Sequence, residues 1–222
     1  MYNEKNICNN LKEAIEIFDK FNRSYEIIAV DDGSTNNCFS EAKKVNSDKI
    51  QVVGYKKNKG KGNALKYGFK YTKGDYIAFV DADFEINPKQ LRNFIKIIEE
   101  KNAGAVIGSK RHPKSRVYYP LMRRFMSRIY QGIIRILFNL KVRETQVGLK
   151  LFKSEVLKQV FPKIIVKRFA FDLEVLVNAN LLGYKIVEAP IELKYKFGST
   201  IKLRSIFYIL LLSQEFYLCS RH

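Results

Sequence analysis

The sequence predicts an α/β fold, a mostly parallel sheet covered by helices on both faces. Three observations carry this. Short apolar runs alternate with helically periodic stretches through the first half of the chain. The turns after those runs collect aspartate, glycine and serine. With 46% hydrophobic residues in 222, the chain can bury a proper core as a single domain.

Taken in order, residues 4–21 carry Ile7, Leu11, Ile15 and Phe18 at helical spacing. The run YEIIAV (25–30) ends in Asp31-Asp32-Gly33-Ser34, a strand feeding a turn. A helix is expected over 36–46, and IQVVGY (50–55) is a second strand. NKGKGNALKYGFKYT reads as a glycine loop opening a helix. DYIAFV (75–80) is a third strand, Pro88 starts a helix reaching about residue 100, and AGAVIGS (103–109) is a fourth strand. Such alternation gives a Rossmann-like parallel sheet whose ligands sit beyond the carboxyl ends of the strands. Asp31-Asp32, Asp81-Ala82-Asp83 and Ser109 all fall there. No repeat, low-complexity tract or linker interrupts the chain.

The second half has a different texture. Residues 121–138 place Leu121, Met122, Phe125, Met126, Ile129, Ile133, Ile134 and Leu137 on one helical stripe. Arg124, Arg128 and Arg135 share the opposite face, with Arg123 and Ser127 flanking it. A basic amphipathic helix suits an anionic membrane surface, and an ordinary surface helix carries the same pattern. The stretch 204–218, with Phe207, Tyr208, Phe216 and Tyr217, reads as either a buried or an interfacial helix.

Charge narrows the function. The formal net charge is +18 and the pI about 9.7, which calls for an anionic partner: nucleic acid, a phosphorylated substrate or a membrane surface. From Lys110 to Lys150 there are eleven Lys or Arg and one acid, Glu144, so the excess is concentrated as at a site. Three cysteines without CxxC spacing imply neither a disulfide framework nor a zinc site, and a reducing, cytosolic setting is expected. No signal peptide is recognisable, and the apolar run Ile206–Leu212 is far short of the roughly 18 to 20 residues of a spanning helix.

Against this basic background, VDADFE (80–85) packs three carboxylates into six residues after a strand. Crowded acids repel and resist burial. In an extended segment Asp83 and Glu85 point the same way and reach one cation, and Mg²⁺ or Mn²⁺ takes such hard oxygen ligands together with substrate phosphates. A merely acidic loop is the competing reading. Gly60 and Gly62 let a backbone approach a ligand closely at a helix N-terminus that favours phosphate. Arg123 and Ser127 lie one helical turn apart and can grip one phosphate. Asp172 and Glu174 read as helix caps or site residues, and His112 as a loop residue.

Eight blocks, MYNEKNI, VDDGSTN, NKGKGNALKYG, GDYIAFVDAD, GSKRH, RRFMS, ETQVGLKLF and RFAFDLEVL, run in the order seen in family 2 glycosyltransferases of GT-A fold. Across nearly the whole chain the sequence resembles dolichyl-phosphate β-glucosyltransferases, with dolichyl-phosphate mannose synthases next. Thr145–Phe152 and Arg168–Glu174 favour the glucosyl branch.

The resemblance implies inverting, metal-dependent transfer of glucose from UDP-glucose to dolichyl or polyprenyl phosphate, by a peripheral protein at the cytoplasmic membrane face. It divides the single domain into a nucleotide-sugar half (1–109) and an acceptor and membrane half (110–222). It puts Tyr2, Asn3, Glu4, Asp31, Asp32, Gly60, Lys61, Gly62 and Asp81 on the donor, and Asp83 and Glu85 on Mg²⁺ or Mn²⁺. Arg123, Ser127, Gln146 and Lys150 fall to the acceptor phosphate, and Asp81, Asp83 and Arg123 to the chemistry. Lys110, Arg111 and Arg116 either join that grip or solvate a loop. Mannosyl transfer from GDP-mannose is the near alternative. A basic nucleic-acid-binding protein fits the charge but does not account for Asp-x-Asp at a strand end. One departure stands out: in the family a β-strand ending in proline precedes Tyr-Asn-Glu, whereas Met1 stands there here. That first, central strand is expected to be missing, leaving its two neighbours without a partner.

Overall fold

A computed structural model describes residues 1–117, 132, 134–165 and 170–193. Its strands are β1 (Ile27–Asp32), β2 (Ile50–Tyr55), β3 (Tyr76–Phe79), β4 (Ala105–Ser109), β5 (Lys150–Lys153) and β6 (Ile186–Pro190). The helices are α1 (Ile7–Asp19), α2 (Cys38–Lys43), α3 (Lys61–Phe69), α4 (Leu91–Glu100), α5 (Ser154–Val160) and α6 (Phe171–Leu181).

Local chemistry explains the boundaries. Asn87 accepts a hydrogen bond from Lys89 N, and Pro88 follows it with its φ already set for helix. The turn opens as a 3₁₀ segment, Pro88–Gln90, so the α-helix begins at Leu91 rather than at the proline. Leu91, Phe94 and Ile98 then fall on one face and are buried. Helix α6 is of another kind: every residue from Phe171 to Ala179 is buried, so it runs through the core.

The sheet is mixed, and this revises the parallel expectation. β1 and β2 pair in parallel from Ile27↔Ile50 to Asp32↔Tyr55. The other four strands lie in the order β3-β5-β4-β6, with β5 antiparallel to both neighbours and β6 parallel to β4. The reason is where the chain re-enters. β4 finishes at Ser109, and β5 begins only at Lys150 and returns the opposite way. That reversal delivers residues 144–150 to the end of β3, beside the acidic loop.

Strand pleating distributes the core. Ile107 and Phe152 join Phe79, Phe161, Phe171 and Leu176 on one side of the larger sheet. Val106 and Leu151, one residue away, join Leu91, Phe94, Ile98 and Leu149 on the other. A third cluster, Ile7, Leu11, Ala29, Cys38 and Ala42, seals α1 and α2 onto β1.

Among the described residues no strand joins β1 to β3, and the two sheets stay separate. The main chain of Met1 lies along β1 instead: its amino group donates to Val30 O at 2.7 Å, and its carbonyl accepts from Asp32 N at 2.9 Å. Among the described residues no helix is long and apolar enough to cross a membrane.

The core assignment is tested at Phe94, which has no exposed surface. Replacing it with alanine removes a ring from both the α4 face and the β4–β5 layer. Urea unfolding should show Phe94→Ala destabilised by about 3–5 kcal/mol, and a loss below about 1 kcal/mol would contradict a closely packed second cluster.

Candidate active site

The acidic segment is a turn, not the extended stretch expected from the sequence. Phe84 N donates to Asp81 O at 3.2 Å, and Phe84 takes a left-handed φ of 51°. Asp83 Oδ1 accepts from Glu85 N at 3.1 Å, so part of that carboxylate holds the turn. Helix α1 steadies the loop from outside: Asn10 Nδ2 donates to Ala82 O at 2.7 Å, and Asn87 Nδ2 reaches Glu13 at 3.2 Å.

Asp81 has a resident cation. Lys61, the first residue of α3, brings its Nζ to 2.7 Å from Asp81 Oδ1 and 3.8 Å from Asp172 Oδ2. Lys150, 1% exposed, donates to Asp172 Oδ1 at 2.6 Å and to Val147 O at 2.6 Å. The four side chains alternate in sign from the interior to the loop. Burial works against charge on Lys61, but Asp172 and Asp81 outweigh it and raise its pKa. Burial likewise opposes charge on Asp81, yet Lys61, with Lys150 behind it, holds that carboxyl below its ordinary value. At Lys150 burial wins over Asp172 and lowers the pKa. On its far side Asp81 abuts Gly148, where a Cβ would collide with the carboxylate.

Asp81 and Glu85 line a cavity of about 60 Å³ with Ile86, Lys110, Gln146, Gly148 and Leu149. A larger groove of about 270 Å³ lies on the α1–α4 flank, where Arg23 and Glu99 are paired with each other, away from the strand ends. Among the described residues no three His, Cys, Asp or Glu side chains converge as a metal cage. Asp83 and Glu85 nevertheless fit a dication that takes one or two carboxylates from the protein and the rest of its shell from phosphate.

On the β1 side the two aspartates divide. Asp31 accepts from Ser34 N at 3.1 Å and Ser34 Oγ at 2.5 Å. Both oxygens of Asp32 are taken, by Tyr55 Oη at 2.6 Å, Asn58 Nδ2 at 3.1 Å, Lys59 N at 2.9 Å and Gly60 N at 2.9 Å. Asp32 therefore organises the 55–60 loop, and its proximity and burial raise the Tyr55 pKa. Gly60 takes φ 94°, which opens α3. Gly62 is approached by the Phe171 ring, with no space for a Cβ, so what comes close there is the core helix. Asn3, at φ 53°, ties the N-terminal segment to Ser34, Thr35 and Asn36. Glu4 accepts from Asn6 N, and Tyr2 stays half-exposed.

Of the described residues that the resemblance assigns to the acceptor phosphate, Gln146 reaches the cavity, while Lys150 turns inward to Asp172 and away from solvent. Asp172 is thus an ion-pair partner and makes no helix-capping bond, and Glu174 accepts from Ile165 N. Arg111 contributes a buried Nη2 with no hydrogen-bond partner, and His112 Nδ1 accepts from Lys114 N within the loop. Arg123 and Ser127, with most of the 121–138 stripe and all of 204–218, lie outside the described residues. Of the stripe's described members Ile134 lies in the core and Leu137 is 38% exposed, while Ile136, off the stripe, is 85% exposed. Sequence reasoning missed Asn10, Gly148 and the Lys150–Asp172 pair. For the pair, a lysine set among Leu149, Leu151 and Phe152 was the available signal.

The chain is similar to known proteins in sequence and in fold. A dolichyl-phosphate β-glucosyltransferase of Dictyostelium discoideum is 30% identical over 206 residues, covering 86% of this chain and 63% of that protein. Its namesake in Saccharomyces cerevisiae is 28% identical over 224 residues, covering 91% and 67%. The chain thus spans about two thirds of the length of these relatives. Glucosyl-3-phosphoglycerate synthase of Mycobacterium tuberculosis, solved with Mn²⁺, UDP-Glc and glycerol 3-phosphate, superposes with a TM-score of 0.67 at 17% identity, covering 96% of this chain and 77% of that one. The fold is GT-A. Residues 1–161 match the family described as Glycosyl transferase family 2, and the chain belongs to that family.

Proposed function

We propose that the protein transfers glucose from UDP-glucose to dolichyl or another polyprenyl phosphate, inverting the sugar C1, at the cytoplasmic face of a membrane. The observation that carries this reading is one cavity bounded by Asp81 and Glu85 on the donor side and by Lys110 and Gln146 from the basic segment. The two dolichyl-phosphate β-glucosyltransferases support the choice of sugar and acceptor.

The chemistry follows from charge. An oxygen of the acceptor phosphate forms the new bond to C1 as the bond from C1 to the diphosphate breaks, its electron pair leaving with UDP. The acceptor is already anionic near neutral pH, so no side chain has to remove a proton. Catalysis then rests on positioning and on electrostatic stabilisation of the leaving group. Lys61 and Lys110 supply fixed positive charge beside Asp81. Asp83 and Glu85 are the residues that would hold Mg²⁺ or Mn²⁺; when bound, such an ion neutralises charge on the diphosphate. Arg123 and Ser127, one helical turn apart in the sequence, are assigned to the acceptor phosphate.

A donor screen with dolichyl phosphate tests this directly. UDP-glucose should yield a glucosylated lipid at least about 10-fold faster than GDP-mannose, a transition-state difference of about 1.4 kcal/mol. Faster mannosyl transfer would move the protein to the other branch.

Asp83→Asn should retain the fold by circular dichroism and lose about 100-fold or more in turnover, since a missing carboxylate a few ångströms from a dication costs several kcal/mol even at an effective dielectric near 20. Undiminished turnover by the variant, or by the wild type in excess EDTA, would remove the metal from the reaction.

Membrane attachment is tested by vesicle co-sedimentation. Binding should require anionic lipid, weaken with salt and fall when Arg124, Arg128 and Arg135 become glutamate, because each basic residue near such a surface contributes roughly 1 kcal/mol. Equal recovery in the supernatant with and without anionic vesicles would exclude this mode of docking.

A further inference from the structure

The alternating series Lys150–Asp172–Lys61–Asp81 begins where no substrate can reach. We propose that Lys150 is a positioning residue for the donor site: it holds one oxygen of Asp172 so that the other faces Lys61, and thereby fixes the Lys61 ammonium beside Asp81. The inference rests on the donor-site reading above and deepens it.

Lys150 cannot touch a ligand, being 1% exposed. Its ammonium has two fixed acceptors at 2.6 Å, Asp172 Oδ1 and Val147 O. The first of these bonds engages Asp172 Oδ1, and the other oxygen, Oδ2, lies 3.8 Å from Lys61 Nζ. Lys61 is the adjustable member, its side chain 41% exposed and shared between two acids. A lysine has four freely rotating side-chain bonds, and two carboxylates aimed at one point are what confine it. The second bond from Lys150 reinforces the same end. It ties down Val147 O, and the next residue, Gly148, backs the Asp81 carboxylate. Lys150 thus acts on Asp81 from both sides, through Asp172 and Lys61 and through the 147–148 backbone. A buried ion pair adds little stability over apolar side chains of similar volume, so its fixed geometry is the property that serves the site.

The test compares Lys150→Met with the double variant Lys150→Met/Asp172→Asn, which removes both charges and leaves no buried one unpaired. Mn²⁺ with UDP is titrated into each by calorimetry, and each is melted. The double variant should melt within a few degrees of wild type. Both should bind Mn²⁺–UDP about 10-fold more weakly than wild type and within about twofold of each other, because Asp172 serves the donor site only while Lys150 aims it. Wild-type affinity in Lys150→Met overturns the proposal. So does affinity that recovers together with stability in the double variant, the mark of a purely structural pair, or a double variant far weaker than the single, the mark of Asp172 acting alone. Should Lys150→Met not fold, the double variant decides, and wild-type affinity in it overturns the proposal. A wild-type protein that binds no nucleoside diphosphate with Mn²⁺ defeats the donor-site reading itself, and this inference with it.

Discussion

An ammonium buried to 1% exposure has to be met by a counter-charge, and Lys150 is met by Asp172 at 2.6 Å. Removing either partner alone would leave a charge in the core, a loss of about 3–5 kcal/mol. The pair therefore fixes where β5 sits against α6. From that junction a series of charges follows: Asp172 faces Lys61 at the start of α3, and Lys61 faces Asp81 just past the end of β3. Three elements distant in sequence are registered to one another by charge, at the point where apolar packing gives way to solvent. Apolar burial has no directional preference. An ion pair with hydrogen-bond geometry does, and a site that must hold several charges in fixed relation needs that direction.

The antiparallel β5 is what makes this junction available. A parallel strand at its position would bring Lys150 to the opposite end of the sheet, away from Asp81. Because β5 enters from the end where β4 finishes, its first residue lies level with Phe79. The residues just before it then lie beside the acidic loop, with Gln146 at the cavity together with Lys110, and Gly148 against Asp81. The direction of one four-residue strand thus sets Gln146 and Gly148 beside the acidic strand end, where Lys110, just after β4, also lies.

Much of this was legible beforehand, and the failures have physical causes. IQVVGY was read as a strand to the residue, since an apolar run bounded by polar turns leaves little choice. β5 was not read at all, because four residues carry no direction and two of them are lysines. An extended reading of 81–85 fails at the turn Asp81–Phe84, because a left-handed phenylalanine has no signature in composition. Gly62 signalled a close approach correctly, but a glycine does not say of what, and it proved to be Phe171. The resemblance puts Asp32 on the donor, whereas four donors from Tyr55 and the following loop already engage it in the structure. Local pattern reveals that a polar residue stands at a strand end; only the tertiary neighbours decide whether it is spent on holding a loop.

The crowding of acids at 81–85 can now be resolved by role. Asp81 is compensated within the protein, by Lys61 at 2.7 Å and by the charge of Lys150 behind it. Among the described residues neither Asp83 nor Glu85 belongs to an ion pair. The repulsion that three carboxylates would exert is thus reduced to that of two without a lysine partner, in a segment open enough for water to screen them. A loop in which all three acids had lysine partners would be electrostatically closed, and one with none would be difficult to form beside a buried strand. The division leaves two carboxylates uncommitted to any lysine next to a cation–anion pair, with one oxygen of Asp83 engaged by Glu85 N, and hard oxygen donors so placed are of the kind a dication takes together with phosphate.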